Sequence, residues 1–471
     1  MIKSFIGWGQ RISILTYLFL HIITTFWELP FLVHIHSLSG ISMIFFTFFR
    51  LPLRKFKLPL FILLSGIIIL LTSDASFSKG IMLGTIQMRN VIGLLIVIPL
   101  ISWVLQEEPY IEDIMSVFHK LVDSSRKFYF TLISLTQLLT YFLLFGAITM
   151  MYQFVDLFLK EQQTEGWKNY KSTALLRGYA LSTLWVVTVP SFIVAVDTLG
   201  ASLYVAIAQG FGAALVGTVI ALFSSYVQER KYGMEITPVL QKEINTILQN
   251  ASSKKVRVKK VLEFFLLFLT LFGTIFLVYA IWHIPLMVLI PIVIIFWVIA
   301  FYLIKRRVHK LGFIAKSYVQ TSLTKQAYQL NVMLAVGVLI YALNQTSFAV
   351  NVVEGLNAIE QAVPWLNPLF LLPFIVMILG FFGLGPLTVM VLVAGILESM
   401  ALPYPPELIV LAITSGSVLS ILLSPVIMPL IVLSAANGLN LFTNGIKFNW
   451  KYCIAFYIII QLYLQLMVQF F

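Results

Sequence analysis

Long apolar segments follow one another along almost the whole chain of 471 residues, each close to the length that crosses a lipid bilayer. A transmembrane helix needs about 20 predominantly apolar residues. Segments of this kind lie near 12–33, 36–50, 57–74, 80–105, 128–158, 177–198, 199–227, 261–281, 283–304, 329–347, 366–384, 385–401, 405–436 and 451–471. Charged residues make up only 11% of the chain, whereas soluble domains carry about 25%. The pattern predicts an all-α polytopic membrane protein with about 12–14 hydrophobic segments.

Basic residues cluster in three connections between these segments, at 50–57, 228–260 and 305–325. Such connections stay on the cytoplasmic side of a membrane. They predict a cytoplasmic N-terminus in a multi-pass protein of the cell membrane, which we expect to be bacterial. The net charge of +12 then serves topology and attraction to anionic membrane lipid. Because the basic residues flank spans, we expect no nucleic-acid partner.

The side chains that usually carry metal or cofactor chemistry are sparse. Cys453 is the single cysteine and the six histidines are scattered, so the sequence lacks the local ligand patterns of a zinc site. The nucleotide-binding pattern GxxxxGK[ST] does not occur in it. We therefore predict no metal site, no cofactor and no catalytic residues.

One apolar segment, ALSTLWVVTVPSFIVAVDTLG from Ala180 to Gly200, carries side chains that lipid disfavours. Pro190 deletes a backbone hydrogen bond and clashes with the preceding turn, so it predicts a helix break. The polar side chains of the segment are Ser182, Thr183, Thr188, Ser191 and Asp197. Freed backbone groups are tolerated in a membrane only where protein buries them or water reaches them. We therefore predict that this segment faces a substrate and not lipid.

A similar segment, ITSGSVLSILLSPVIMPLIVLSAANG, lies near the other end of the chain. An offset of 235 residues aligns Ser182 with Ser417. The same offset aligns Pro190 with Pro425, which becomes the second predicted helix break. Hydroxyls are again frequent, at Thr414, Ser415, Ser417, Ser420 and Ser424. Two broken segments at corresponding positions of two halves are typical of a transporter built from inverted repeats.

This pairing predicts the organisation of the chain. We expect an N-terminal membrane half at 1–227, a basic cytoplasmic loop at 228–260 and a C-terminal membrane half at 261–471. The first repeat would lie at about 57–227 and the second at about 283–471.

The number of crossings predicts a re-entrant hairpin. Three apolar segments, near 128–158, 177–198 and 199–227, lie between two connections that we expect on the cytoplasmic side. Three full crossings would place the second connection outside. One of the three segments must therefore enter and leave the membrane by the same face.

The order of an apolar segment, a glycine-bearing segment and a Ser/Thr–Pro broken segment, present twice, resembles the ion transporter superfamily. That group includes citrate, dicarboxylate and arsenite permeases and the large membrane subunit of tripartite periplasmic transporters. The resemblance is carried by LSTLWVVTVPSFIVAV, GPLTVMVLVAGIL and TSGSVLSILLSPVIMPLIV, within about 128–227 and 366–438. It implies inverted repeats, two hairpins that nearly meet, Na⁺ or H⁺ coupling to anion movement, and a homodimer. The Ser-Asn-Thr-like triplets that many members carry at the hairpin tips do not occur here.

We therefore predict a secondary active transporter of a small anionic solute, working by alternating access with Na⁺ or H⁺ coupling. The predicted substrate-binding residues are Ser182, Thr183, Thr188, Ser191, Ser415, Ser417, Ser420 and Ser424. Asp197 and Asn344 are candidates to bind the coupling ion, because ionisable and polar groups inside a membrane are usually functional. Asp197 also fits a turn at the membrane face. We interpret Arg177, at the start of its segment, as a topology anchor.

Two other functions stay open. The first is a polytopic glycosyltransferase or polymerase of the cell envelope, whose chemistry needs carboxylates or arginines on a sizeable extracytoplasmic loop. The connections predicted outside are 75–79, 348–365 and, for a re-entrant segment later than 128–158, also 159–176. All are short, so we expect no enzyme. The second is an accessory membrane subunit of a transport system.

Overall fold

A computed structural model of the chain describes residues 2–27, 29–73, 75–108, 110, 124–159, 162, 164–234, 236–239, 254–363, 366–400 and 402–470. All regular secondary structure in these residues is helical. Eight helices of the described part are long and apolar enough to cross a membrane. The predicted class, an all-α polytopic membrane protein, is confirmed.

The helices of the first part of the chain are numbered in sequence order. They are α1 (Ile2–Phe26), α2 (Pro30–Arg50), α3 (Leu53–Thr72), α4 (Phe77–Gln87), α5 (Arg89–Val97), α6 (Ile101–Leu105), α7 (Ser125–Leu143), α8 (Gly146–Leu159), α9 (Glu165–Ser182), α10 (Pro190–Thr198) and α11 (Leu203–Tyr232). A 3₁₀ turn, Ile98–Leu100, joins α5 to α6.

The helices of the second part continue the numbering. They are α12 (Lys254–Trp282), α13 (Leu286–Ile304), α14 (Val308–Ser317), α15 (Leu323–Asn344), α16 (Phe348–Ala362), α17 (Pro368–Phe381), α18 (Pro386–Leu397), α19 (Pro406–Leu423), α20 (Met428–Asn437) and α21 (Phe448–Val468). Two turns of π-helix, Tyr318–Ser322 and Thr443–Lys447, lead directly into α15 and α21.

The chain forms two compact units, and each takes segments from both sequence halves. Unit 1 consists of Met1–Val104, Thr274–Ala362 and Val391–Leu402, and unit 2 of Leu105–Gly273, Val363–Met390 and Pro403–Phe471. The predicted halves at 1–227 and 261–471 are divisions of the sequence, and they stay predictions.

Unit 1 is organised around α15, which packs against α3 and α4. Glycines permit this close approach. A Cβ atom on Gly66 would lie 2.9 Å from the Leu339 backbone nitrogen, and one on Gly337 would lie 2.5 Å from the Gly84 carbonyl oxygen. Any larger residue at these positions would push the helices apart.

The same order of elements occurs twice along the chain, as α7–α11 and as α17–α21. These helices belong to unit 2, apart from the residues of α18 after Met390. Each set has a helix pair, a long helix that breaks, a short helix and a final long helix. The turn inside the pair has a residue of positive φ in both sets, Leu144 (48°) and Gly383 (86°). Positive φ also follows the short helix in both, at Gly200 (65°) and Gly438 (70°). Because positive φ is uncommon, its recurrence marks two structural repeats.

The two repeats pack reciprocally in unit 2. The short helix α10 of the first repeat packs against α19 of the second, and α20 packs against α9. The equivalent helices α9 and α19 also contact each other, as do α11 and α21. Contacts of this reciprocal kind are what a two-fold relation produces.

Two polar contacts show that the repeats run in opposite directions. Lys447 Nζ lies 2.6 Å from Glu165 Oε1, which joins the start of α9 to the turn that leads into α21. The Ser202 N–H donates to Glu407 Oε1 at 2.8 Å, which joins the start of α11 to the start of α19. The start of the broken helix α9–α10 thus lies near the end of α19–α20, and the end of α9–α10 lies near the start of α19–α20. The two broken helices are therefore antiparallel.

Many predicted segments overlap a single helix, but several boundaries differ. The segment near 12–33 includes the end of α1 and the start of α2, and the segment near 128–158 contains two helices, α7 and α8. The segment predicted at 36–50 is the later part of a 21-residue helix, α2, that begins at Pro30. The connection predicted at 348–365 contains α16. In the connection predicted at 159–176, α9 begins at Glu165 and is buried almost throughout. Polar side chains lower its hydropathy, although Lys171, Thr173 and Arg177 have hydrogen-bond partners inside unit 2.

The basic loop predicted at 228–260 is helical at both ends. The helix α11 continues to Tyr232 and α12 begins at Lys254, while 240–253 lie outside the described residues.

Candidate functional site

The first helix break lies between the end of α9 at Ser182 and the start of α10 at Pro190. A proline has no N–H to donate and suits the first position of a helix, so α10 begins where α9 cannot continue. In α11, Gly210 faces this break, and a Cβ atom there would overlap the Leu184 carbonyl oxygen. The break is thus held against bare helix backbone.

The second helix break lies between the end of α19 at Leu423 and the start of α20 at Met428. Pro425, the predicted breaker, lies inside this break, and Pro429 occupies the first turn of α20. Here Gly445 faces the break, and a Cβ atom on it would lie 3.4 Å from the carbonyl oxygens of Leu422 and Leu423. The helix therefore breaks at both predicted positions, and a glycine of a neighbouring segment faces each break.

Two of the predicted hydroxyls anchor the breaks to a neighbouring helix. Thr188 Oγ1 donates to the Tyr141 carbonyl oxygen at 2.5 Å, near the end of α7. Ser424 Oγ donates to the Gly380 carbonyl oxygen at 2.9 Å, near the end of α17. The two bonds have the same place in the two repeats. Each satisfies a carbonyl at the point where a helix ends.

Three further hydroxyls bond back to their own helix. Ser182 donates to the Tyr179 carbonyl oxygen at 2.6 Å, Thr183 to Ala180 at 2.7 Å and Ser415 to Ala412 at 2.7 Å. A local bond of this kind satisfies the hydroxyl without any ligand. These three residues lie beside the breaks, but their hydroxyl donors are already used.

The hydroxyls of Ser417 and Ser420 differ from the others. Their side chains are 1% and 2% exposed, and neither Oγ has a hydrogen-bond partner among the described residues. Ser420 Oγ occupies the space where Gly380 would carry a Cβ atom. A buried hydroxyl without a partner costs about 1–3 kcal/mol. These two groups, together with the buried Ser191 at the start of α10, are the best candidates to bind a ligand.

Neither of the two predicted coupling-ion residues belongs to a break. Asp197 is half-buried in the last turn of α10. Asn344 is exposed at the end of α15 and belongs to unit 1, whereas the eight predicted substrate hydroxyls belong to unit 2. Their roles in ion coupling stay predictions.

The helix α9 carries a buried guanidinium, that of Arg177, five residues before the helix ends at Ser182. Arg177 is 0% exposed, so the interpretation of this residue as a topology anchor is wrong. Its Nε donates to Asn449 Oδ1 at 3.0 Å, Nη2 to the Phe448 carbonyl oxygen at 3.2 Å and Nη1 to Tyr129 Oη at 3.3 Å. Its Cζ lies 4.5 Å from the centre of the Tyr452 ring. All these partners are neutral.

The helix α9 carries a second buried cation with a different environment. Lys171 is 0% exposed, and its Nζ lies 2.8 Å from Asp156 Oδ1. It also donates to the Leu159 carbonyl oxygen at 3.1 Å. Lys171 is thus paired with a carboxylate, as a buried charge usually is.

A network of side-chain amides extends from Asn449, the partner of Arg177 Nε. Asn437 and Asn444 exchange hydrogen bonds through their side-chain amides at 2.8 and 3.0 Å. Asn437 also donates to Ser172 Oγ at 2.8 Å, and Asn449 donates to the Asn444 carbonyl oxygen at 2.8 Å. The network joins α9, α20 and the π-turn before α21. Sequence analysis missed it, although Asn169, Thr173 and Arg177 recur every four residues, a spacing that marks one polar helix face.

No protein-family model matches this chain, and no curated protein matches it.

Proposed function

We propose that the protein is a secondary active transporter of a small anionic solute, working by alternating access with Na⁺ or H⁺ coupling. One observation carries the proposal: two antiparallel repeats of one unit each contain a broken helix, the first break buried throughout and the second partly buried, with Val426 and Met428 exposed. Broken helices inside a membrane are costly unless protein or water satisfies their backbone. Paired breaks of this kind form the solute and ion sites of transporters with inverted repeats.

The polar groups of the breaks suit a solute that changes partners during transport. A hydroxyl both donates and accepts hydrogen bonds, so Ser417 and Ser420 can serve an anion or a coupling cation. The short helices α10 and α20 begin at the breaks, and the N-terminal end of a helix favours negative charge. Asp197 remains the proposed carboxylate for the coupling ion.

The orientation we propose follows from the basic connections. The N-terminus and the connections at 228–260 and 305–325 lie on the cytoplasmic side. The pair α7–α8 enters and leaves by that side, because α8, with 14 residues, spans about 21 Å and is too short to cross alone. The broken helices α9–α10 and α19–α20 then cross in opposite directions. The membrane is the cell membrane of a bacterium.

The antiparallel repeats with helix pairs and breaks also support the proposed kinship with the ion transporter superfamily. On that kinship we propose a homodimer. Solute identity enters only as a class, a small anion.

Transport is tested with the purified full-length protein in liposomes. Transient currents and uptake of radiolabelled succinate, citrate, phosphate and sulfate are measured together, because electroneutral movement carries no current. Each anion is applied with and without a Na⁺ gradient and a pH gradient, and protein-free liposomes are the control.

The proposal predicts saturable uptake of at least one anion that increases with one of the two gradients. Uptake of none of them under either gradient would contradict the proposal. That result would favour the alternatives, an accessory membrane subunit or a cell-envelope enzyme.

A further inference from the structure

We propose that Arg177 supplies the positive charge that binds the transported anion. The inference rests on the proposed transport function for the word "transported", but the anion site itself follows from the surroundings of the guanidinium. It adds a residue outside the breaks, and a ligand class that Arg177 would select.

Arg177 is buried without a counter-charge among the described residues. A buried ion costs several kcal/mol unless an opposite charge or a full set of hydrogen bonds compensates it. Lys171, six residues earlier on the same helix, has Asp156 at 2.8 Å. Arg177 has no carboxylate partner within the part of the chain that the structure describes. One helix thus contains a compensated cation and an uncompensated one.

The repeat fold does not need an arginine at the position of Arg177. Gly178 and Gly416 have the same place in the two repeats, so the residue equivalent to Arg177 is Ser415. That serine is buried and bonds to its own helix, to the Ala412 carbonyl oxygen at 2.7 Å. A small neutral side chain therefore suffices for packing at this position. The guanidinium of the first repeat has another purpose.

The guanidinium of Arg177 keeps hydrogen-bond donors that no group in the described part of the chain uses. An arginine has five N–H donors in a planar fork. Three are used, one each by Nε, Nη1 and Nη2, so each terminal nitrogen keeps one N–H. The Tyr452 ring covers one face at 4.5 Å and holds the plane. A planar group with donors left on both terminal nitrogens matches a carboxylate or another oxyanion.

The backbone beside the guanidinium forms a π-helical turn. The π-turn Thr443–Lys447 ends directly before Phe448, whose carbonyl accepts from Arg177. π-helical turns are rare and occur frequently at functional sites. Asn449, one residue further, accepts from Nε and donates to two carbonyl oxygens of that turn, of Asn444 at 2.8 Å and of Gly445 at 3.3 Å. A conformational change in this turn would therefore move Phe448 and Asn449 away from the guanidinium. An anion could then accept hydrogen bonds from the N–H groups that these two residues release.

Anion binding is measured as thermal stabilisation of the purified full-length protein. The probes are acetate, succinate, citrate, phosphate and sulfate, at constant ionic strength with a bulky organic sulfonate as the reference anion. The variants are Arg177→Gln, Arg177→Lys and the control Arg126→Gln, which removes one exposed positive charge from α7.

We expect at least one probe to raise the apparent melting temperature of the wild type in a saturable way. Its apparent Kd should rise about tenfold or more in Arg177→Gln, because a charge-assisted hydrogen bond is lost. Arg177→Lys should give an intermediate Kd, since lysine keeps the charge without the fork. Arg126→Gln should match the wild type. If Arg177→Gln does not fold, Arg177→Lys decides by the same Kd.

Three results would overturn the inference. The first is that no probe stabilises the wild type. The second is an apparent Kd that is unchanged in the Arg177 variants. The third is a lower melting temperature of both variants with the anion effect retained, which is what a merely structural arginine predicts.

Binding and transport fail separately. Uptake of an anion whose binding does not depend on Arg177 would leave the transporter standing and remove this inference. Arg177-dependent binding without uptake would do the opposite.

Discussion

Gly178 and Gly416 lie in equivalent places in two broken helices, 238 positions apart. A Cβ atom on Gly178 would lie 2.9 Å from the Ile133 carbonyl oxygen, and one on Gly416 would lie 2.6 Å from the Pro373 carbonyl oxygen. In each repeat the broken helix therefore touches the backbone of the first helix of its own repeat. The spacing of 238 replaces the offset of 235 read from the sequence, a shift of almost one helical turn.

Substituting either glycine by alanine should destabilise the protein. The added methyl group meets backbone atoms that cannot move without shifting a helix, which costs about 1–3 kcal/mol. Gly212→Ala is the matched control, because a Cβ atom on Gly212 of α11 meets nothing within 4 Å. The apparent melting temperature in detergent should fall for Gly178→Ala and Gly416→Ala and not for the control. Equal values for all three would disprove the close approach.

The Lys171–Asp156 pair should respond unequally to removal of its two members. Asp156→Asn leaves an ammonium that is 0% exposed without its carboxylate, whereas Lys171→Met leaves a carboxylate that is 34% exposed and can be hydrated. We expect Asp156→Asn to cost about 3 kcal/mol or more and Lys171→Met to cost less. The double variant should recover part of the loss. Thermal unfolding measures all three, and additive losses would contradict a direct pair.

The hydroxyls at the breaks should separate into two classes by stability. Thr188→Val and Ser424→Ala each remove a bond to a helix-terminal carbonyl and should cost about 1 kcal/mol. Ser417→Ala and Ser420→Ala remove buried hydroxyls that have no partner among the described residues. They should leave the melting temperature unchanged or raise it. A loss of stability in this second class would show that the protein already satisfies these hydroxyls.

Cysteine labelling should locate the two ends of the first broken helix. With Cys453 replaced by alanine, Thr164→Cys should react with a membrane-impermeant reagent from the cytoplasmic side and Ser202→Cys from the outside. Ser172→Cys should react from neither side, because Ser172 is buried in α9. Reaction of positions 164 and 202 from the same side would contradict the proposed crossing.

Fold class and both breaks could be predicted because hydropathy and proline act locally. The burial of α9 could not, since its two lysines and its asparagine look like a connection until partners such as Asp156 are known. Hydropathy likewise cannot tell whether Arg177 faces lipid headgroups or the core.

The repeat register was missed for a similar reason. Serines recur in both broken segments at several spacings, and only the close approach of Gly178 and Gly416 to a neighbouring helix distinguishes them. Sequence also treated Ser415, Ser417 and Ser420 alike. Whether a hydroxyl bonds to its own helix or stays without a partner depends on its rotamer and on packing.

The most direct test of the account is the gradient-driven anion uptake of the Ser417→Ala/Ser420→Ala double variant in liposomes. The comparison is Thr414→Val, which removes a buried hydroxyl that bonds to its own helix, to the Val410 carbonyl oxygen at 2.7 Å. We predict that the double variant loses the uptake without losing stability, while Thr414→Val keeps it. Undiminished uptake by the double variant would contradict the placement of the solute site at the paired breaks.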